Sequence, residues 1–185
     1  LKGKKNPKPI FKFIRKFPCI SILEADRAFG HAAGFKAIER CTKDANKFGV
    51  GITVVRNSTH PGALSSIALK ASREGFAVFA FTNADSLMLS YNGKNAFFGT
   101  NPICFTAPSL EGEPFCLDMA TTTFSWNKLL GYRKKNKNLP SNIAVDINGK
   151  PTINPHLAKY LMPIGTYKGF GLASMVEILT AIIAN

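Results

Sequence analysis

The segment from Val50 to Phe81 constrains the fold most. Val50–Val55 is a β-branched run with the profile of a buried parallel strand. Arg56–Gly62 is polar, Ala63–Glu74 has helical spacing and is closed by Gly75, and Phe76–Phe81 is again apolar. Strand, loop, helix and strand in this order predict a βαβ unit and an α/β chain. Elsewhere, Ile10–Leu23 reads as one or two strands broken at Pro18, and Glu24–Gly30 as a polar connection. Ala33, Ala37, Ile38, Cys41, Ala45 and Phe48 recur at spacings of three and four, so His31–Phe48 is an amphipathic helix ended by Gly49. Ile103–Ala107 and Phe115–Met119 are two further strands joined by a turn over Ser109–Glu113. Thr121–Lys135 and Tyr167–Ala184 are helices, and Pro140–Pro155 is a loop with an Asn148-Gly149 turn.

Charge narrows the function. With 24 Lys and Arg against 11 Asp and Glu, the 185 residues carry a net charge of +13. Such a balance suits nucleic acid, and equally an anionic substrate with a phosphate-bearing cofactor. The densest clusters, Leu1–Lys16 and Arg133–Lys137, lie at a chain end and beside a loop. No zinc-finger spacing or RNP-like aromatic motif accompanies them, which favours a solvated lysine-rich surface over a nucleic-acid face. There is no apolar run of membrane-spanning length and no export signal, so a soluble cytoplasmic protein is expected. Cys19, Cys41, Cys104 and Cys116 form no C-x-x-C pair and fit neither a zinc site nor a disulfide framework; they read as reduced, and no metal is expected.

Four stretches can carry chemistry. Arg56-Asn57-Ser58-Thr59-His60-Pro61-Gly62 follows a strand and precedes a helix, where open α/β sheets bind ligands. His60 there is either a proton-transfer group, since imidazole titrates near neutrality, or a cap for a backbone group. His31 and His156 read as surface or capping residues. Gly165-Thr166-Tyr167-Lys168-Gly169-Phe170-Gly171 opens the last helix: a cradle for a cofactor phosphate with Lys168 adding charge, or a packed glycine turn. Gly99-Thr100-Asn101-Pro102 offers the hydrogen-bonding groups of Thr100 and Asn101. Asp118-Met119-Ala120-Thr121-Thr122 places a carboxylate at a strand end, to hold a ribose hydroxyl or to cap a helix. Gly49-Val50-Gly51 precedes its strand and lacks the third glycine of a Rossmann fingerprint, and neither a P-loop nor a G-x-S-x-G elbow is present.

Taken together and in this order, Asn57-Ser58-Thr59-His60-Pro61-Gly62, Gly99-Thr100-Asn101-Pro102, Leu117-Asp118-Met119-Ala120-Thr121 and Lys168-Gly169-Phe170-Gly171 resemble the malate/L-lactate dehydrogenase type 2 family. That family includes ureidoglycolate, sulfolactate and diketogulonate oxidoreductases. The likeness runs from about Asn6 to the end, and the His60–Ser65 and Asp118–Thr122 stretches look closest to the ureidoglycolate dehydrogenases. The resemblance implies a three-layer α/β/α fold with a mixed sheet, distinct from the Rossmann fold, NAD or NADP as cofactor, and a homodimer. It implies His60 as proton acceptor, Asp118, Met119, Ala120 and Lys168 as cofactor-binding residues, and Ala84 at a cofactor-touching position that is serine in some members.

The family's upstream Asp-Ser-His-Gly motif is missing, the chain starts at Leu1, and Asn185 falls inside an apolar helical pattern without a cap. Residues 1–185 are therefore expected to be a single domain, the central NAD(P)-binding part of a longer protein. The expected activity is hydride transfer between a nicotinamide cofactor and a small 2-hydroxy acid, with His60 taking the hydroxyl proton and Thr100 and Asn101 near the substrate. Reduction of a cyclic imine carboxylate is the rival on the same scaffold, and a basic nucleic-acid-binding module the rival outside enzymology.

Overall fold

The computed structural model describes residues 5–183; residues 1–4 of the basic lead-in and the Ala184 end of the last expected helix lie outside the described residues. The first elements are β1 (Lys12–Phe17), β2 (Ile20–Ala28), α1 (Gly30–Phe48), β3 (Ile52–Ser58), α2 (Ser65–Arg73) and β4 (Val78–Phe81). Then come β5 (Met88–Leu89), β6 (Ala96–Phe98), β7 (Ile103–Ala107), β8 (Phe115–Met119) and α3 (Trp126–Lys134). Last are β9 (Ala144–Val145), β10 (Pro151–Thr152), β11 (Tyr160–Leu161), α4 (Tyr167–Glu177) and a π-helical turn over Ile178–Ile182. The chain divides into two compact units: Leu1–Phe81 with Cys104–Asp118 and Thr180–Asn185, and Thr82–Ile103 with Met119–Leu179.

In the first unit, β1 runs antiparallel to β2 and β2 runs parallel to β3, a mixed sheet as expected for the α/β class. The parallel pair is bridged by α1, so the crossover unit is β2–α1–β3. This corrects the expected βαβ unit: β3 is an edge of the sheet β1-β2-β3, whereas β4 is an edge of a separate sheet, β4-β7-β8. Both segments form strands and β3 is parallel, as expected, but neither is a buried strand: no residue of β3 is buried, and in β4 only Val78 is. Which strand each pairs with does not follow from periodicity, which carries no pairing information. Glu24–Gly30, expected as a polar connection, mostly continues β2. Asp26 and Arg27 adopt φ values of 48° and 57° and the register slips between Glu24 and Ala28, a bulge that lets Ala25 and Ala28 remain buried against Ala33.

α1 ends as its spacing predicts, at Gly49 with φ 81°, whose N–H returns to the Ala45 carbonyl. Its buried stripe meets α2 and the sheet through Ile38, Ile67, Ala68, Ala71, Val78 and Cys104. Buried Asp44 on α1 is paired by Arg40 at 2.7 Å and by Arg15 of β1 at 3.1 Å, as a carboxylate with little access to water must be.

The second unit holds a five-stranded sheet in the order β10-β9-β11-β5-β6, with Leu161 parallel to Met88 and antiparallel to Ala144. Phe124, Leu129, Leu139, Ala144, Ala158 and Leu161 form its core. Most of these strands are two or three residues long, too short to announce themselves as alternating patterns. The Asn148-Gly149 turn does close a hairpin between β9 and β10: Gly149 has φ 78°, and the Asp146 carboxylate accepts the N–H groups of Asn148 and Lys150. α3 begins at Trp126, not Thr121. Ser125 caps it, and the preceding threonines are drawn into extended pairing, Thr121 N–H to Thr100 and Thr123 N–H to Met162.

Candidate functional site

His60 lies two residues beyond the carboxyl end of β3 and is exposed. The loop that carries it is fixed from several sides. Thr59 N–H donates to the Ala28 carbonyl at 3.1 Å, and the Thr59 hydroxyl accepts the N–H of Gly30 at 3.0 Å. Gly30 must lack a side chain, because a Cβ there would collide with the carbonyl oxygens of Thr59 and His60. At the base of the loop, Asn57 has φ 55° and donates from its amide to Glu24, which also holds Arg56 at 2.6 Å. These two hydrogen bonds keep the Glu24 carboxyl below its ordinary value of 4.5.

The ring itself makes one hydrogen bond: Gly62 N–H donates to His60 Nδ1 at 2.9 Å. Nε2 has no partner among the described residues. The reading of His60 as a cap for a backbone group is thus seen on one ring nitrogen, and the other is left without a partner among the described residues. Asp118, in the same unit, is the penultimate residue of β8 and lies against the start of α2, where its Oδ2 accepts the N–H of Ser65 at 2.9 Å. A carboxylate at a helix N-terminus is a favourable placement, and Oδ1 has no partner among the described residues. Of the two roles open to Asp118, the capping one is filled, on α2 instead of the segment that follows it. Cys104 of β7 stays a thiol, pushed up to about 12 chiefly by burial and then by the charge of Asp118, and all four cysteines are unbridged.

Other expected residues assemble in the second unit. The Thr100 carbonyl accepts both the N–H and the hydroxyl of buried Thr121, at 2.9 Å each. The Thr121 carbonyl accepts the N–H of Ile164, and the Ile164 carbonyl that of Gly169. A Cβ on Gly169 would stand 2.5 Å from the carbonyl oxygens of Thr121 and Ile164, so this glycine is required by close approach. One chain of contacts thus ties Thr100 and the residue after Ala120 to the turn that bears Lys168. Lys168 is exposed and has no acidic partner among the described residues, and its stem lies over Gly165. The first-turn amides of α4 are partly committed, since Lys168 N–H donates to Gly165 and Gly169 N–H to Ile164. The cation, more than the helix end, is what remains for an anion.

Asn101 has a structural role. Its side chain is fully buried; Oδ1 accepts the N–H of Ala84 at 3.1 Å, and Nδ2 donates to the Ala173 carbonyl at 3.0 Å and to Glu177 at 2.9 Å. The amide is committed to the protein on both sides, so Asn101 is a pin between loop and helix. Ala84, half-buried, has its N–H engaged by that pin, which leaves its methyl as the surface it can present.

Sequence reasoning missed His31, Gly30 and Ser66, which the fold brings to the His60 loop. The His31 ring lies against Gly62, and its Nε2 is 3.1 Å from the Ser66 hydroxyl. The available signal was the Gly30-His31 pair at a helix start, legible only once α1 was known to begin beside that loop.

The chain is 35% identical over 182 residues to the ureidoglycolate dehydrogenase (NAD(+)) of Escherichia coli K12, covering 98% of this chain and 52% of that protein. The crystal structure of malate dehydrogenase from Entamoeba histolytica superposes with a TM-score of 0.93 at 31% identity, over 99% of this chain and 55% of that one. The delta1-piperideine-2-carboxylate reductase of Pseudomonas syringae does so with a TM-score of 0.93 at 28% identity, over 98% of this chain and 56% of the other. Relatives named as dehydrogenases include NAD(+)- and NADP(+)-dependent enzymes. The chain spans about half the length of the curated relatives it matches. Its α/β fold with mixed sheets is that of these dehydrogenases, and with a family model matching residues 1–185 the chain belongs to the malate/L-lactate dehydrogenase family.

Proposed function

We propose that this chain is the central part of an NAD(P)-dependent oxidoreductase that interconverts a small 2-hydroxy acid and its 2-oxo acid, working as a cytoplasmic homodimer. The observation that carries the reading is the exposed His60 ring at the carboxyl end of β3, held on Nδ1 by Gly62 with Nε2 unpartnered. A histidine so placed reaches the C2 oxygen with Nε2, and handles the proton that leaves or joins that oxygen when Nδ1 is released from Gly62 and carries the ring proton.

Groups suited to a nicotinamide dinucleotide stand in each unit by itself. In the first, Asp118 keeps one carboxylate oxygen without a partner among the described residues; in the second, Met119 and Ala120 are half-buried, Ala84 offers its methyl, and Lys168, on a glycine-flanked turn, has no acidic partner among the described residues. When bound, the dinucleotide supplies the two-electron hydride chemistry that no side chain has. Lys168 serves its anionic part and Asp118 a hydroxyl. Thr100 is a weaker candidate for substrate, since its carbonyl is engaged by Thr121.

The test is an assay of the full-length protein against a panel of 2-hydroxy acids with NAD and with NADP. Turnover of ureidoglycolate, malate, lactate or sulfolactate supports the reading. The neighbouring piperideine carboxylate reductase keeps a second reading in play, and cyclic imine acids belong in the same panel. Activity on imines alone reassigns the substrate class; binding to nucleic acid with no dinucleotide binding removes the enzyme reading.

A further inference from the structure

The first unit holds a second histidine, His31, whose ring lies against Gly62 of the His60 loop. We propose that His31 is a positioning residue which, by packing under Gly62, holds His60 in the tautomer that keeps its proton on Nε2, so that the resting ring meets substrate as a hydrogen-bond donor. The inference rests on the assignment of His60 as the substrate-facing group and goes beyond it in naming which form of the ring is presented and what sets it.

Gly62 N–H is a donor, so the ring nitrogen that receives it must offer a lone pair. The bond to Nδ1 at 2.9 Å therefore fixes the proton of a neutral His60 on Nε2. Gly62 can aim its N–H this way because it takes φ 79°, a conformation that side chains disfavour. It is also seated directly on His31, since a Cβ at Gly62 would lie 2.6 Å from His31 Cε1 and 3.0 Å from Nδ1.

His31 is anchored in turn. The Ser66 hydroxyl donates to the Ala63 carbonyl at 2.7 Å, so toward His31 it acts as acceptor, and His31 Nε2 at 3.1 Å supplies the proton. The rings of Phe29 and Phe35 stand 6.0 and 6.2 Å from it. The order of control is Ser66, His31, Gly62, His60.

The chemical consequence is specific. A neutral ring with its proton on Nε2 holds a substrate oxygen by donating to it. Taking up the hydroxyl proton needs a lone pair on Nε2, hence a proton on Nδ1, which the Gly62 N–H opposes. Holding substrate and accepting its proton are thus separated by release of the Gly62–His60 bond, loss of the Nε2 proton to solvent and gain of a proton from solvent at Nδ1. No residue of the loop other than Gly62 could make that change as cheaply in backbone strain.

The test uses the full-length protein with ¹⁵N-labelled histidine. In the wild type, His60 should show the pattern of an Nε2-protonated neutral ring; a resting ring protonated on Nδ1 overturns the proposal. His31→Ala should convert His60 to a mixture of tautomers and weaken hydroxy-acid binding about tenfold, with cofactor affinity unchanged. His31→Gln, which can still donate to Ser66 and fill the space below Gly62, should restore both readouts and guards against a simple folding defect. An unchanged His60 tautomer in a folded His31→Ala protein overturns the proposal. Failure of the underlying reading looks different: full turnover in His60→Ala would remove His60 from the reaction while leaving the tautomer measurement intact.

Discussion

The loop around His60 and the knot around Asn101 look alike in sequence, each a short polar stretch beside a strand with glycine and proline close by. The structure treats them in opposite ways. Asn101 is fully buried, and its amide meets Ala84, Ala173 and Glu177. His60 is exposed, gives one nitrogen to Gly62 and leaves the other unpartnered among the described residues. The difference teaches that a polar motif becomes a candidate site through the bonding capacity left over after the fold has been satisfied. The loop is rigid by its backbone and free at its side chain, whereas the knot is engaged at both.

The contrast breaks or sharpens under substitution. The largest expected effect is on chemistry: in the full-length enzyme His60→Ala should lower turnover by ~10²–10⁴-fold with little change in melting temperature. Steady-state kinetics beside thermal denaturation checks both halves, and turnover equal to wild type would erase the distinction. Asn101→Ala should behave in the reverse sense. It strips three hydrogen bonds from a buried position and should destabilise by about 2–4 kcal/mol in urea titration, with any loss of activity following the loss of fold.

Asp118 sits between the two cases, one oxygen committed and one without a partner among the described residues. Asp118→Ala should cost about 1 kcal/mol for the lost cap on α2 and also weaken cofactor binding, while Asp118→Asn should keep most of the cap. Equal effects of the two substitutions on both measurements would mean that the charge has no separate role. Lys168→Ala should leave stability unchanged and raise the cofactor dissociation constant by about fivefold at low salt, an effect that salt should erode.

The smallest effect concerns the base of the His60 loop. The Glu24 carboxyl is held below 4.5 by Asn57 and Arg56, so it is ionised more readily in the folded chain than in the unfolded one. Its contribution is complete above the unfolded value and is lost as pH falls through the lower folded value. Acid titration of Glu24→Gln should therefore show a flatter fall in stability below 4.5 than the wild type, and identical curves would sever Glu24 from the loop.

Several structural features were legible beforehand for identifiable reasons. α1 could be read because five turns of amphipathic spacing ended in a glycine, and Gly49 does take the left-handed conformation. β7 and β8 could be read because two five-residue, largely apolar runs flank a polar turn. β5, β9, β10 and β11 could not, since two-residue strands leave no periodic trace. α3 starts later than the sequence suggests because the threonine run at 121–123 pairs sideways with Thr100 and Met162, partners more than twenty residues away.

By itself the sequence determined the α/β class, the helices whose faces repeat, the family to which its four motifs belong, and the position of His60 just past a strand. All of these depend on residues near one another along the chain or on motif order. The tertiary structure alone decided that β2, not β4, shares a sheet with β3, that Asp118 caps α2, that Asn101 is buried, and that His31 lies beneath Gly62. Each of those depends on which distant groups meet, and hydrogen bonds and close packing act across space irrespective of separation along the chain.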